Sequence, residues 1–242
     1  MSHQPAAVGN GELLLLWAFP FIFAIWIVAV MMFPGFVGPM SPAMSADEVA
    51  AFYRDPTNLD RIRASMILLN WFSYGVIPML ALVVVQIERM AHKSGIFAYA
   101  FLGCLCCAPV LFFTADLFWL IAAFRPERNP EITQMFNDMA WIAFSGQVGF
   151  LIIQSLILAL SVYFDDQPRK IFPNWFGLFN IAAVLALAPA AFVGVSGTEG
   201  AFAWNGLFPF WIKNATMILW ILVTFYVVAT AIYRQRREGG LA

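Results

Sequence analysis

One acidic residue lies deep inside an apolar stretch of the sequence. Asp116 stands in the apolar run 112–119, nine residues before Arg125. At about 1.5 Å per residue, this spacing places the carboxyl group roughly 13 Å from the end of its helix. A charge at that depth costs several kcal/mol unless it is paired, hydrated or protonated. The sequence therefore predicts a functional site at Asp116.

Other polar side chains are predicted to lie at the same depth. Counting residues from the helix ends brings parts of three helices into one layer, which consists of Asn70, Ser73, Thr114, Asp116, Ser145 and Gln147. Aromatic side chains accompany the layer at Trp71, Tyr74, Phe112 and Trp119. The layer has two interpretations, either hydrogen bonding between helices or the wall of a ligand or proton site.

Lys213 offers the opposite charge. It follows Pro209 by four residues, so it lies roughly 6 Å inside the last apolar segment. Its flexible stem can extend towards Asp116, or outward to lipid headgroups beside Trp204 and Trp211. The sequence leaves both alternatives open.

Composition identifies the environment that these residues need. Of the 242 residues, 62% are apolar and only 11% are charged, so charged side chains cannot cover a water-soluble surface. The lipid bilayer is thus the expected surroundings. With a net charge of -1 and no clustered basic face, the composition excludes nucleic acid as a partner.

Six apolar segments are long enough to cross about 30 Å of hydrocarbon as helices. We therefore predict one all-α domain over residues 1–242, a bundle of six transmembrane helices. The predicted spans are Leu13–Phe33, Ile62–Ile87, Ile96–Phe124, Phe136–Phe164, Phe172–Val195 and Phe208–Tyr233.

The distribution of Lys and Arg predicts the orientation. Seven basic residues lie on the side that carries both termini and five on the other, which favours cytoplasmic termini. The first eleven residues contain no Lys or Arg, so the first apolar segment is expected to stay as a transmembrane helix. The expected location is a bacterial inner membrane.

The first outer loop contains two local signals. Ser45 and Glu48 have the spacing of a capping box, which predicts a short amphipathic helix whose Val49, Phe52 and Tyr53 lie on the membrane surface. A partner-binding helix is the alternative. The Pro- and Gly-rich stretch 33–39 ahead of it predicts a re-entrant or interfacial turn.

No cofactor or metal site is predicted. Cys104, Cys106 and Cys107 lack the spacing of a metal-binding set, and we expect them to be reduced and buried. The two histidines lie outside the apolar segments, which argues against haem. A copper(I) site at Met31, Met32, Met40 and Met44 is disfavoured because Met also serves as apolar filling.

Three functions compete. The favoured one is binding or transport of a small apolar or weakly polar molecule in an outward-facing cavity around Asp116, lined by Asn70, Trp71, Tyr74, Ser145, Gln147 and Lys213. The alternative is an accessory or scaffold subunit that associates with a membrane-protein partner or with further copies of itself. An enzyme is the least favoured, because one carboxylate without a second catalytic group makes a poor active site.

Overall fold

The apolar segments of the chain fold into helices. The computed structural model describes residues 9–195 and 197–239, apart from the side chains of Ser73, Ala108, Pro109, Leu111 and Phe112. Within that part of the chain every regular element is helical. The predicted all-α class is therefore confirmed.

Five helical stretches are long and apolar enough to cross a membrane. They are Asn10–Met32, Pro56–Glu88, Pro130–Tyr163, Asn174–Val195 and Leu207–Gly239. The remaining predicted span coincides with a 29-residue helix, α5 (Ile96–Phe124). Its described parts, Ile96–Cys107 and Phe113–Phe124, are shorter apolar helices. The six-helix count therefore stays a prediction.

The first span is the continuous helix α1 (Asn10–Met32), and a compact turn follows it. Gly35 and Gly38 adopt φ angles of 74° and 84°, a left-handed conformation that glycine adopts without steric cost. The turn buries Phe33 and Phe36 in the interior of the protein. The glycines thus allow the chain to reverse while both aromatic rings stay in the core.

The second span is broken in the middle. Helix α3 (Pro56–Phe72) is followed by a 3₁₀ turn at Ser73–Gly75 and then by α4 (Val76–Glu88). A Cβ atom at Gly75 would lie only 2.1 Å from the Ile22 side chain. Glycine is therefore required where α1 crosses this break.

The fourth span is broken as well. Helix α6 (Pro130–Gly146) ends before α7 (Gly149–Tyr163) begins, and the Val148 N–H donates to Gly146 O at 3.0 Å. That bond replaces the α-helical bond that Val148 would make to Phe144 O. The break thus releases the Phe144 carbonyl for another donor.

The last two spans contain irregular helical turns. Helix α8 (Asn174–Leu187) continues as a 3₁₀ segment over Ala188–Val195. A π-helical turn, Leu207–Ile212, leads into α9 (Lys213–Gly239). Such turns leave backbone carbonyls without their usual partners, and polar side chains can satisfy them.

A nine-residue helix, α2 (Ala46–Arg54), forms after the first span and carries the predicted capping box. The Ser45 N–H and hydroxyl donate to the Glu48 carboxylate at 2.8 and 2.9 Å, and both contacts lower the pKa of that carboxyl group. The predicted location of its apolar face on the membrane surface is wrong. Val49 and Tyr53 are buried within the protein, because the helix packs against α6.

Two hydrophobic cores stack along the bundle. The core near the chain termini, here the terminal core, includes Leu16, Val83 and Val228. The core near the α1–α2 connection, here the loop core, includes Phe33, Trp119 and Trp141. The three cysteines belong to neither, and the prediction that they are buried is wrong. Cys104 is half-buried and Cys106 and Cys107 are exposed, because their positions on α5 face away from both cores.

Candidate functional site

Asp116 lies on α5 at the level of the loop core. Its side chain is 8% exposed, and it precedes the last residue of the helix by eight positions, a distance of about 12 Å. Its neighbours Ala115 and Trp119 are buried in the loop core. The structure therefore places the predicted acid inside the bundle.

Lys213 also points inward. Its side chain is 3% exposed, and its Nζ donates to Phe144 O at 2.7 Å. The same nitrogen lies 3.7 Å from the centroid of the Phe144 ring, in a cation–π contact. A cation at the C-terminal, carbonyl end of α6 interacts favourably with the dipole of that helix. The alternative in which Lys213 reaches outward to headgroups is wrong, because the helix break supplies a buried acceptor.

Ser145 is also buried. Its hydroxyl donates to Trp204 O at 3.2 Å, and the Trp204 indole donates to Met40 O at 2.8 Å. The first bond joins α6 to the segment that contains Trp204, and the second joins that segment to the connection between α1 and α2. Ser145 therefore acts as a contact between segments.

The remaining predicted site residues face outward. Trp71 is 70% exposed and Tyr74 is 40% exposed, while Asn70 and Gln147 are also exposed. The structure thus does not gather all seven predicted residues into one pocket, although Asp116, Ser145 and Lys213 are buried.

The predicted layer has two further members, Ser73 and Thr114, and Phe112 is one of the aromatic residues that accompany it. The Thr114 hydroxyl bonds to Val110 O of its own helix at 2.6 Å. The side chains of Ser73 and Phe112 lie outside the described residues. Within the described residues Thr114, Ser145 and Lys213 therefore each donate to a different backbone carbonyl.

An aromatic cavity of about 80 Å³ lies between α1, the second span, α7 and α9. None of the seven predicted site residues lines it. Its wall consists of Phe19, Ile22, Phe23, Trp26, Phe72, Val76, Leu80, Phe150, Leu151, Gln154, Met217, Trp220 and Ile221. One water needs roughly 10–15 Å³, so the cavity can hold several waters or a small organic molecule.

Gln154 contributes a polar amide group to the wall of this cavity. The side chain is 1% exposed, and within the described part of the chain neither its amide nitrogen nor its amide oxygen has a hydrogen-bond partner. A buried polar group without a partner costs about 1–3 kcal/mol. The nearby Trp220 indole is engaged with Asn180 Oδ1 at 2.8 Å. Gln154 therefore places an amide that has no hydrogen-bond partner among the described residues in the wall of an apolar space.

A smaller cavity of about 20 Å³ adjoins the aromatic one. Phe150, Leu151 and Met217 line both, and Gln147 and Lys213 line the smaller one. The break between α6 and α7 thus brings two predicted site residues to the edge of the aromatic cavity. Sequence counting missed Gln154, although a glutamine within the apolar run 149–160 is a signal of the same kind as Asp116.

The loop core contains a dense aromatic cluster that the sequence did not predict. The Trp119 and Trp141 rings lie edge to face with centroids 5.1 Å apart, and Phe33 lies 5.2 Å from Trp119. Both tryptophan N–H groups are buried without a hydrogen-bond partner among the described residues. The two tryptophan rings also pack against Phe36 and Phe144, so the cluster fills the interior of the loop core.

Metal ligands are not clustered. Among residues 9–195 and 197–239 no group of three or more His, Cys, Asp or Glu side chains is placed to hold a metal ion. Met31 is 57% exposed while Met40 is buried. These two thioethers of the predicted methionine set therefore have different environments.

The chain matches no protein-family model, no curated protein and no solved structure. The class of the protein is therefore defined by its own architecture. Several long apolar helices in an all-helical fold are compatible with a multi-pass membrane protein.

Proposed function

We propose that this protein binds a small, largely apolar molecule within its helical bundle, in the aromatic cavity next to Gln154. The observation that carries the proposal is Gln154, a residue of the cavity wall whose amide nitrogen and oxygen are buried without a partner among the described residues. The cost of burying it is offset when a ligand supplies an acceptor and a donor. We therefore propose a site whose polar contact comes from Gln154 of α7 rather than from Asp116.

The cavity wall defines the shape and chemistry of the ligand. Phe19, Phe23, Trp26 and Phe150 contribute aromatic faces, which suit a flat or compact apolar body. Gln154 can hydrogen-bond to one polar group on that body. The ligand we propose therefore combines an apolar frame with a single hydroxyl, carbonyl or amide group.

Phenol and toluene form a matched pair of probes because they have nearly the same shape and differ in one polar group. The purified protein in lipid nanodiscs is titrated with each probe while tryptophan fluorescence is recorded, since Trp26 and Trp220 line the cavity. Empty nanodiscs correct for partitioning into lipid. One hydrogen bond to the Gln154 amide is expected to favour phenol by about tenfold.

The Gln154→Leu variant tests the role of the amide. It removes both polar atoms and keeps the side-chain volume similar, so phenol is expected to lose affinity and toluene to gain it. Gln134→Leu is the control, because Gln134 lines neither the aromatic cavity nor the smaller one beside it. Equal responses to both probes in the parent, with no change in Gln154→Leu, would contradict the proposal and favour a scaffold role.

A further inference from the structure

Two surface grooves adjoin each other on the side that carries the chain termini. One, of about 490 Å³, lies between the segment 168–175 and α9. The other, of about 730 Å³, lies between α9 and Trp17 of α1. Arg169, Tyr226, Thr230 and Arg234 line both grooves. The grooves therefore form one continuous surface around the C-terminal part of α9.

Basic side chains dominate the polar end of this surface. Arg169, Lys170, Arg234 and Arg237 line it, against the single carboxylate of Glu238. The ion pair between Arg169 and Glu238, at 2.9 Å, is largely exposed and so contributes little to stability. The surface thus carries an excess of positive charge that an anion can neutralise.

Backbone contacts hold two of these cations in place. The Arg234 guanidinium donates to Ile171 O at 2.7 Å and to Lys170 O at 3.1 Å. Lys170 Nζ donates to Val162 O at 2.9 Å. Arg234 and Lys170 are therefore positioned by the fold, so a bound anion does not have to order these two side chains, while Arg169 and Arg237 lie on exposed side chains beside them.

The other end of the surface is aromatic and apolar. Tyr226 is 64% exposed and Trp175 is 47% exposed. The Trp17 indole donates to the Tyr233 hydroxyl at 2.8 Å, next to Phe225. Trp and Tyr are typical of the boundary between headgroups and acyl chains. A phospholipid has a charged headgroup at one end and apolar acyl chains at the other. A surface with basic residues at one end and aromatic residues at the other matches that arrangement.

We propose that these grooves bind an anionic phospholipid. Its phosphate lies among Arg169, Arg234 and Arg237, and its acyl chains follow the grooves along Phe225 and Tyr226. Basic pockets between transmembrane helices on one face of a membrane bind such headgroups. The proposal is independent of the aromatic cavity, because no residue lines both sites.

Native mass spectrometry of the full chain tests the site. The delipidated protein in detergent is titrated with phosphatidylglycerol or with phosphatidylethanolamine of the same acyl chains. We expect phosphatidylglycerol to bind more tightly, and Arg237→Gln to weaken it about fivefold, the effect of one cation near a lipid surface. Arg236→Gln is the matched control, because Arg236 is equally exposed but lines neither groove.

Two more comparisons make the test decisive. Glu238→Gln releases Arg169 from its ion pair, so phosphatidylglycerol is expected to bind more tightly to this variant. Glycerol 3-phosphate is expected not to displace the lipid, because it has no acyl chains. The proposal is overturned if both phospholipids bind alike, if Arg236→Gln and Arg237→Gln weaken binding equally, or if glycerol 3-phosphate competes as an equal.

Discussion

Lys213 lies on the carbonyl end of α6, where its Nζ donates to Phe144 O at 2.7 Å and lies 3.7 Å from the centroid of the Phe144 ring. The fourth span is broken at this point, and the break releases the Phe144 carbonyl, which accepts the hydrogen bond from Lys213. The last span thus supplies a cation that satisfies the backbone carbonyl left free by the break in the fourth span.

Replacing Lys213 by Met tests this relationship. The variant leaves the buried Phe144 carbonyl without its donor, so the free energy of unfolding should fall by about 1–3 kcal/mol. Chemical unfolding in detergent measures the change. Lys93→Met is the control because Lys93 is exposed, and its stability should stay within about 0.5 kcal/mol of the parent. A parent-like or higher stability of Lys213→Met would show that burying the ammonium costs more than its contacts return.

Tyr53 connects the short helix α2 to α6. Its buried hydroxyl donates to Asn137 Oδ1 at 3.0 Å. Tyr53→Phe leaves that oxygen without this donor, and the free energy of unfolding should fall by about 1–2 kcal/mol. A double-mutant cycle with Asn137→Leu measures the coupling, and additive losses would show that the hydrogen bond contributes nothing.

Burial of Tyr53 also leads us to expect that the stability of the protein depends on pH. Burial, and to a smaller extent the charge of Asp138, raise the pKa of its hydroxyl above the ordinary value of about 10. In the unfolded chain the phenol ionises near pH 10, whereas in the folded protein it keeps its proton. Stability should therefore fall as the pH rises above about 10. The fall should be shallower in Tyr53→Phe, and identical pH profiles would contradict the assignment.

Gly206 closes the loop that covers Ser145. A Cβ atom there would lie 2.6 Å from Gly200 O and 2.7 Å from backbone atoms of Ala201. The backbone has to move to accept it, so Gly206→Ala should destabilise the protein by about 1–3 kcal/mol. Gly103→Ala on α5 is the control, because no atom lies within 4 Å of its added Cβ. Equal thermal midpoints in the two variants would contradict the close contact.

The sequence predicts much of the fold because segment length and hydropathy determine where helices cross apolar surroundings. The predicted bounds of the spans lie close to the observed helices, and the capping box at Ser45 and Glu48 forms. Segment length and hydropathy do not predict the helix breaks at Ser73–Gly75 and Gln147–Val148. They depend on contacts between helices, such as the approach of Ile22 to Gly75, that no single segment specifies.

The candidate site was harder to predict because counting along a helix gives depth but not direction. On α3 the buried residues are Ile62, Ser65, Met66 and Leu69, a stripe at helical spacing. Asn70 and Trp71 have the predicted depth but lie beside that stripe and face outward. The same test of spacing would have selected Gln154, which lies four residues before the buried Leu158 on α7.

The most direct measurement is nuclear magnetic resonance of the Gln154 side-chain amide in protein labelled with ¹⁵N-glutamine. The signal is identified by its absence from Gln154→Leu. Phenol should shift it in a saturable way, while the signal of Gln134, which lines neither cavity and is identified likewise in Gln134→Leu, stays unchanged. A ligand that fills the aromatic cavity and hydrogen-bonds to Gln154 must produce this result. If phenol leaves the Gln154 signal in place, or moves both signals alike, the cavity is not a binding site of the proposed kind.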